Sequence, residues 1–438
     1  MKLKPLLLAA VVAAGSVLGG CSLSYNDNEL LHPPKTTGRE AEIQKLIEQT
    51  AKGNYLLKYP KTGAYRSAII TEDLNGDKND EAIAFYRTGG DNAKTHMLVM
   101  YNEGKKWKLS LDFETDYLDI DCVQFADYDY DGVSEIFTGF VTFNNSINEL
   151  NIFDYSPSDH KSQKVNFKLN YNAFTTGDYD EDGASELLSF TLGSNDSEAL
   201  AILTDYDKNR LYTLSKCYMD NAVTKFEHVS SGLIGGKTTG VAIDGLVESA
   251  YNTQVIYYLP EKKKLINFPY NPKNPAPNPT TRTYNIRCDD VDDDGFIEIP
   301  VIGEPVVKYD STEEAIAPII SWGSLNPLTA KLADDIRCLT NFEFGYNFTI
   351  PKNFSGNIAA TLSGDNRTMK IYALNGTQLG GLILTLKVFN VGANSSQDYS
   401  TIESYNQYSY TYKIEPNSPI AVNDQTVKEN FALIETGA

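Results

Sequence analysis

The chain has 438 residues, a formal net charge of −20 and 41% hydrophobic residues, which suits a globular protein with a sizeable core. Its acidity excludes nucleic acid as a partner, because binding to phosphate requires a basic surface. The 28 Tyr and 19 Phe favour strands, where aromatic side chains fit a half-buried pleated surface. We therefore predict a mainly β protein.

Residues 1–20 have the features of a lipoprotein signal peptide. Two lysines precede an apolar run over 6–18, which is too short to span a bilayer. The run leads into Leu18-Gly-Gly-Cys21, which resembles a bacterial lipobox. The resemblance implies cleavage before Cys21, a diacylglycerol (palmitate-type) anchor on its thiol, and a lipid-anchored, extracytoplasmic location in the bacterial cell envelope. An ordinary secretory signal with an incidental cysteine is the alternative.

The next two segments are predicted to link the anchor to the body of the protein. Residues 21–36 are polar and are interpreted as a tether. Over 37–54, apolar residues recur at helical spacing, which predicts one amphipathic helix that packs on the body. These residues are Ile43, Leu46, Ile47 and Ala51.

A short acidic pattern returns four times between residues 55 and 342. Its clearest copy is Asp127-Tyr-Asp-Tyr-Asp-Gly-Val-Ser-Glu135, with side-chain oxygens at positions 1, 3, 5 and 9 and Gly at position 6. We name the copies loop 1 (73–81), loop 2 (127–135), loop 3 (178–186) and loop 4 (290–298). In loop 1 the glycine stands at position 4, and Lys78 occupies position 6.

This spacing of oxygens suits a hard cation such as Ca²⁺, which takes six to eight oxygen ligands. Carboxylates crowded into a nine-residue loop repel one another unless a cation lies between them. We predict about four structural calcium sites, in which position 7 adds its backbone carbonyl. The predicted side-chain ligands are Asp73, Asn75, Asp77, Glu81, Asp127, Asp129, Asp131, Glu135, Asp178, Asp180, Asp182, Glu186, Asp290, Asp292, Asp294 and Glu298.

The same spacing opens an EF-hand, but that interpretation fails. An EF-hand needs flanking helices and a bidentate Glu at position 12, whereas these flanks alternate as strands do. Position 12 is occupied by Ala84, Thr138, Ser189 and Val301. A calcium loop that joins two strands resembles the FG-GAP/VCBS repeats of integrin-α-type β-propellers.

The resemblance implies a β-propeller of five to seven blades over residues 55–342. The loops start at 73, 127, 178 and 290, so the steps are 54, 51 and 112 residues, and the last step is twice 56. Steps of this size suit four-stranded blades. A hidden copy is therefore predicted over 232–240, with Ile234, Gly236 and Gly240 at positions 3, 5 and 9. This copy keeps the repeat and loses the metal.

Residues 343–438 lack the acidic loop and alternate as strands, followed by a helix predicted to begin near Asp424 and to include Val427, Phe431 and Ile434. This block resembles the small C-terminal α+β module of some clostridial-type lipoproteins that carry such repeats. We predict a separate α+β module; closing blades of the propeller are the alternative.

Searches for catalytic motifs fail. The sequence has no His-Glu-x-x-His zinc pair and no Gly-x-Ser-x-Gly elbow, and the phosphate-loop-like stretch over 232–238 is one residue short. No catalytic residue and no nucleotide site are predicted. Four cysteines follow the anchor, and we expect them to be unpaired thiols, with disulfides as the alternative in an exported protein; they are Cys122, Cys217, Cys288 and Cys338.

These observations favour a membrane-anchored, non-enzymatic binding or scaffold protein that is stiffened by calcium. Its expected partners are the membrane, through the N-terminal lipid, and a surface protein or glycan. One alternative is a cell-surface enzyme that degrades polysaccharide, since some such enzymes use related propellers. An envelope-assembly factor is a third possibility.

Overall fold

The computed structural model describes residues 38–434, except 105, 144–146, 208–209, 274–275, 304–306, 308, 310, 312, 334–335, 355–357 and 393–397. The predicted signal peptide, the tether and Cys21 lie outside these residues. The fold is mainly β, with 54% of the chain in strands. The described residues form six antiparallel sheets of four to six strands and one two-stranded sheet.

One helix precedes the sheets, inside the segment predicted to be helical. Helix α1 (Arg39–Ala51) ends at Lys52, whose backbone is left-handed with φ 52°. Ile43 and Ile47 are fully buried. They pack with Leu98 and Met100 of the first sheet, so the apolar face of the helix covers one side of that sheet.

The first two sheets each have five strands. Their strands are β1 (Tyr55–Lys58), β2 (Ile69–Glu72), β3 (Glu81–Thr88), β4 (Thr95–Glu103), β5 (Lys106–Thr115), β6 (Asp119–Ala126), β7 (Glu135–Val141), β8 (Asn148–Ser156), β9 (Lys161–Lys164) and β10 (Leu169–Tyr171). The first sheet has the order β1-β3-β4-β5, with β2 also paired to β3. The second has the order β10-β8-β7-β6, with β9 also paired to β8.

The third and fourth sheets are four-stranded meanders. Their strands are β11 (Ala173–Gly177), β12 (Glu186–Thr191), β13 (Leu200–Asp207), β14 (Arg210–Tyr218), β15 (Lys225–Gly235), β16 (Thr238–Val247), β17 (Ala250–Leu259) and β18 (Lys264–Phe268). In both sheets the strands are neighbours in chain order. Each meander therefore corresponds to one sequence repeat.

The remaining strands form larger sheets. They are β19 (Ile299–Ile302), β20 (Glu314–Ile316), β21 (Ile319–Gly323), β22 (Leu325–Asn326), β23 (Lys331–Leu332), β24 (Ile336–Asn341), β25 (Tyr346–Thr349), β26 (Ile358–Ser363), β27 (Thr368–Asn375), β28 (Gln378–Asn390), β29 (Ser400–Tyr405), β30 (Tyr408–Ile414) and β31 (Phe431–Leu433). The fifth sheet has the order β19-β21-β24-β25-β31, and the sixth has β20-β26-β27-β28-β30-β29. Strands β22 and β23 pair with each other.

Strand pairing continues across the predicted domain boundary between residues 342 and 343. The boundary lies in the turn between β24 and β25, which are neighbours in the fifth sheet. Strand β20 pairs with β26, and β31 returns from the C-terminal segment to pair with β25. One apolar cluster contains Leu339 together with Phe348 and Leu384. The two predicted units thus share sheets and a core.

The predicted C-terminal helix is wrong beyond its first turns. Helix α2 covers only Asp424–Glu429, and the side chain of Asn423 caps it by accepting from the Thr426 N–H. Phe431 belongs to β31 and lies against the ring of Tyr346, with the ring centroids 5.3 Å apart. Pairing with β25 satisfies the backbone of this segment and packs the partly buried Phe431 on the core, which outweighs helical periodicity.

Successive sheets pack face to face through apolar clusters. One cluster joins Phe85 of the first sheet to Phe140 of the second; another joins Phe137 to Leu187 of the third. Leu188 packs with Ile243 of the fourth sheet. Each sheet from the first to the fourth therefore lies against the next one in the chain.

Candidate metal centres

The four acidic loops are equivalent connections within their sheets. In every case the residue before position 1 pairs with the Glu at position 9: Glu72 with Glu81, Ala126 with Glu135, Gly177 with Glu186, and Asp289 with Glu298. The loops lie along one edge of the array, because Ser134 of loop 2 donates its N–H to the Leu74 carbonyl of loop 1 at 2.7 Å. Ser185 of loop 3 likewise donates to the Asp127 carbonyl at 3.0 Å.

All four loops share one backbone conformation. Positions 4 and 6 have positive φ, for example 61° at Tyr130 and 87° at Gly132 in loop 2. Loop 1 keeps this conformation although its glycine has moved, with φ 71° at Gly76 and 69° at Lys78. A left-handed lysine is strained, so the requirement for the shape of the loop outweighs the residue's preference.

Backbone N–H groups hold the carboxylates in place. In loop 2, Asp127 accepts from the N–H of Asp131 at 3.2 Å and from that of Gly132 at 2.9 Å. In all four loops the N–H of position 2 donates to the Glu at position 9, as Tyr179 does to Glu186 at 2.7 Å. Each carboxylate keeps other lone pairs that can face an ion.

The structure gathers the predicted ligands most completely in loop 3. There one oxygen each from Asp178, Asp180, Asp182 and Glu186 lie within 4.8 Å of one another. Loop 2 brings together Asp127, Asp129 and Glu135, and loop 4 brings together Asp290, Asp292 and Asp294. Of the described residues, those of loop 1 do not form such a group. These acidic clusters could hold metal ions.

Several of the gathered oxygens are buried and lack a partner. Glu186 is 0% exposed, and its Oε1 has no hydrogen-bond partner. The atoms Asp178 Oδ1 and Asp129 Oδ1 are also buried and also lack a hydrogen-bond partner. Within the part of the chain that the structure describes, no lysine or arginine forms an ion pair with Glu135 or Glu186. A buried carboxylate without compensation either binds a proton or lies beside a cation.

The raised pKa values of the glutamates at position 9 also indicate that these carboxylates need a proton or a cation. Burial raises the pKa of Glu135 to about 9, that of Glu186 to about 8 and that of Glu298 to about 7. Neighbouring carboxylates add to each rise, and the N–H groups of the loops oppose it. Burial also raises the pKa of Asp180 to about 6. A cation at the centre would replace these protons.

Loop 1 departs from the others because positive charge already lies beside it. Lys78 occupies position 6, and the Arg39 guanidinium of α1 contacts Asp80 at 2.7 Å. The same guanidinium lies over the ring of Trp107, 5.2 Å from its centroid. These groups partly neutralise loop 1 and fasten α1 to it.

The copy over 232–240, which is predicted to lack a metal, forms a tight β-hairpin between β15 and β16. Strand β15 runs to Gly235, and Gly236 begins the turn with φ 64°. Ile234 is fully buried in an apolar cluster with Leu325. A closed apolar hairpin therefore stands where the other repeats have an acidic loop.

Two carboxylates outside the repeated acidic pattern also lie at these centres. Asp154 of β8 follows Phe153, which pairs with the residue directly after loop 2. Asp205 of β13 follows Thr204, which pairs with the residue directly after loop 3. Asp154 lines a cleft of about 770 Å³ with Asp129, Asp131 and Glu135. The Tyr128 hydroxyl donates to Asp154 Oδ1 at 3.2 Å. The repeated Asp-Tyr pair, 51 residues apart like loops 2 and 3, was the available signal.

Other predicted features can be located too. Cys122, Cys217, Cys288 and Cys338 are unpaired, as expected. The phosphate-loop-like stretch over 232–238 lies mostly within β15 and its hairpin turn, and it precedes no helix. No helix in the described part of the chain is long and apolar enough to cross a membrane.

Comparison with known proteins adds little. No family model matches the chain, and no curated protein matches it in sequence. A solved structure described as an exotype rhamnogalacturonan lyase, YesX, overlaps 74% of this chain and 81% of its own, with 9% identity and a TM-score of 0.30. Overlap at that level is too low to transfer either a topology or an activity.

Proposed function

We propose that the chain is a membrane-anchored extracytoplasmic lipoprotein whose calcium-stabilised β-propeller of FG-GAP/VCBS type serves as a non-enzymatic binding or scaffold module. Loop 3 carries the proposal. It gathers four carboxylates within 4.8 Å and fully buries Glu186, with which no lysine or arginine among the described residues forms an ion pair. Such a centre stays charged at neutral pH only with a cation inside it.

Calcium is the cation that the donor set favours. All ligands are oxygens, and each loop adds the position 7 carbonyl, as in other calcium loops. Zinc, copper and nickel prefer nitrogen or sulfur donors, and the loops contain neither histidine nor cysteine. Extracellular calcium modules bind at about 10⁻⁴–10⁻³ M, so the ions would be permanent structural components.

The propeller proposal is supported by the order of the sheets. The first four sheets are antiparallel and each packs on the next, and backbone hydrogen bonds link the acidic loops of the first three. A small-angle scattering curve of the purified chain tests the overall shape. A strongly elongated particle would contradict a ring of blades.

Thermal unfolding with and without a chelator tests calcium binding. Calcium at about 100 times its Kd adds about 2.7 kcal/mol per site. With three sites, we expect the Tm to fall by about 10 °C in EDTA, given the unfolding entropy of a chain of this size. Magnesium at the same ionic strength is the control. An unchanged Tm would reject the calcium proposal.

The anchor and the absence of catalysis need separate tests. Mass spectrometry of the protein from membranes should find a diacylglycerol on Cys21 as the first residue. A glycan panel should yield no reducing or unsaturated products. Release of such products would favour the polysaccharide-degrading alternative, and pull-downs from intact cells would identify a surface protein or glycan partner.

A further inference from the structure

In the second, third and fourth sheets, one strand carries a residue that faces the loop of the preceding sheet. It stands two positions beyond the residue that pairs with loop position 10, so strand register identifies it without ambiguity. In these sheets the residues are Tyr155, Tyr206 and Tyr258. The equivalent residue after β21 of the fifth sheet is Leu325, which lies in β22.

The identity of this residue follows the chemistry of the preceding loop. Tyr155, Tyr206 and Tyr258 face the acidic loops 1, 2 and 3. Leu325 instead packs against Ile234 of the metal-less copy. A hydroxyl is therefore present where the loop is acidic, and an aliphatic side chain is present where the loop is apolar.

Contacts place each tyrosine beside the loop of the preceding sheet. The ring of Tyr206 meets that of Tyr128, position 2 of loop 2, at 4.9 Å. Tyr258 shares an apolar cluster with Tyr179, position 2 of loop 3. The Tyr155 hydroxyl hydrogen-bonds to Glu81 at position 9 of loop 1. In each loop the position 2 N–H already holds the Glu at position 9.

The electrostatic surroundings of the hydroxyls agree with this placement. Burial raises the pKa of Tyr206, and Asp129 and Asp154 of the second sheet raise it further. Burial raises the pKa of Tyr258 as well, and Asp180 and Asp205 of the third sheet add to it. A tyrosine hydroxyl so placed can donate a hydrogen bond to a carboxylate.

We propose that the hydroxyls of Tyr206 and Tyr258 complete the cation sites of loops 2 and 3 from the following sheet, so that a bound divalent cation clamps two successive sheets. The hydroxyl donates to a carboxylate that holds the cation and fixes the orientation of its ligand oxygens. In loop 3 the buried, unpartnered Glu186 Oε1 is the oxygen left for the cation. This inference rests on the proposed binding of cations.

The test compares Tyr206→Phe and Tyr258→Phe in the full chain, stripped with chelator and titrated with Ca²⁺. Each change removes one hydroxyl and keeps the ring. Tyr410→Phe is the control, because its buried hydroxyl donates to the Phe344 carbonyl, among residues of the C-terminal core. We expect about tenfold weaker calcium binding at one site per variant, equivalent to about 1.4 kcal/mol, and no change in the control.

Hydrogen exchange measures the clamp itself. The Ser185 N–H bridges loops 2 and 3 through the Asp127 carbonyl. Calcium should slow hydrogen exchange at the Ser185 N–H in the unaltered chain. In the Tyr206→Phe variant, calcium should slow this exchange markedly less. Unchanged calcium affinity in both variants would overturn the inference but not the proposed calcium binding. The same holds if each variant lowers the Tm, relative to the unaltered chain, by the same amount in calcium and in chelator. No binding by the unaltered chain would overturn the proposed function first.

Discussion

Loop 3 and the metal-less copy over 232–240 solve the same connection problem in neighbouring sheets by opposite means. Loop 3 concentrates four carboxylates around a buried Glu186. The copy closes as a hairpin at Gly236 and buries Ile234 against Leu325. Burial of apolar groups stabilises the hairpin without any need for protons or cations, whereas the acidic loop depends on protons or cations from solution.

A change of pH in chelator should separate these two kinds of connection most clearly. The folded pKa of Glu135 is about 9 and that of Glu186 about 8, above the ordinary value of 4.5. Between pH 5 and about 9 the folded chain therefore binds more protons than the unfolded chain, so stability falls as the pH rises. We expect a loss of roughly 3 kcal/mol for each of the two glutamates from pH 5.5 to 8.5, since each pKa unit is worth about 1.4 kcal/mol.

Denaturant unfolding at the two pH values, with EDTA and with calcium, measures this loss. Calcium should abolish it, because the ion replaces the protons. Glu135→Gln combined with Glu186→Gln should flatten the pH dependence in EDTA. A stability that rises over this range in EDTA would contradict the assignment of buried, raised-pKa glutamates.

Removal of ligands should affect loop 3 more than loop 1. Asp180→Asn with Asp182→Asn should eliminate one bound calcium and about 2.7 kcal/mol of stability in saturating calcium. Asp73→Asn with Asp77→Asn should cost less, because Lys78 already reduces the negative charge there. Calorimetric titration and Tm measure both effects. Equal losses in the two loops would show that the gathering of ligands in loop 3 has no energetic consequence.

Lys78→Gly should make loop 1 more like the other loops, which have glycine at position 6. Glycine accepts the φ of 69° without strain and removes a positive charge, so we expect a gain of about 1 kcal/mol and tighter calcium binding. Gly132→Lys in loop 2 is the matched reverse change and should have the opposite sign. Denaturant unfolding measures both variants, and an equal sign for the two would refute this explanation.

The smallest effect is expected in the metal-less hairpin. A Cβ added at Gly236 meets no atom within 4 Å, so Gly236→Ala tests only the positive φ of 64°. We expect a loss of about 1 kcal/mol that is the same with calcium and with EDTA. A loss that depended on calcium would mean that this copy still takes part in cation binding.

Local sequence was sufficient to predict the β class, the loop positions and the hidden copy at Gly240. These features depend on short-range periods, on glycine at left-handed positions and on the fixed spacing of repeats. The left-handed backbone conformation of Lys78 is consistent with its place at position 6 of the pattern. The ending of α2 at Glu429 was not predictable in this way, because β31 gains its partner strand from β25, far back in the chain.

Sequence by itself thus determined which oxygens this protein offers to a cation. Only the tertiary structure decided which of them gather, with the carboxylates of loop 3 most completely assembled. It also brought Asp154, Asp205 and the tyrosines of following sheets to the loops. Their roles arise from strand register and packing between sheets, which are contacts between distant residues and leave only a weak trace in local sequence.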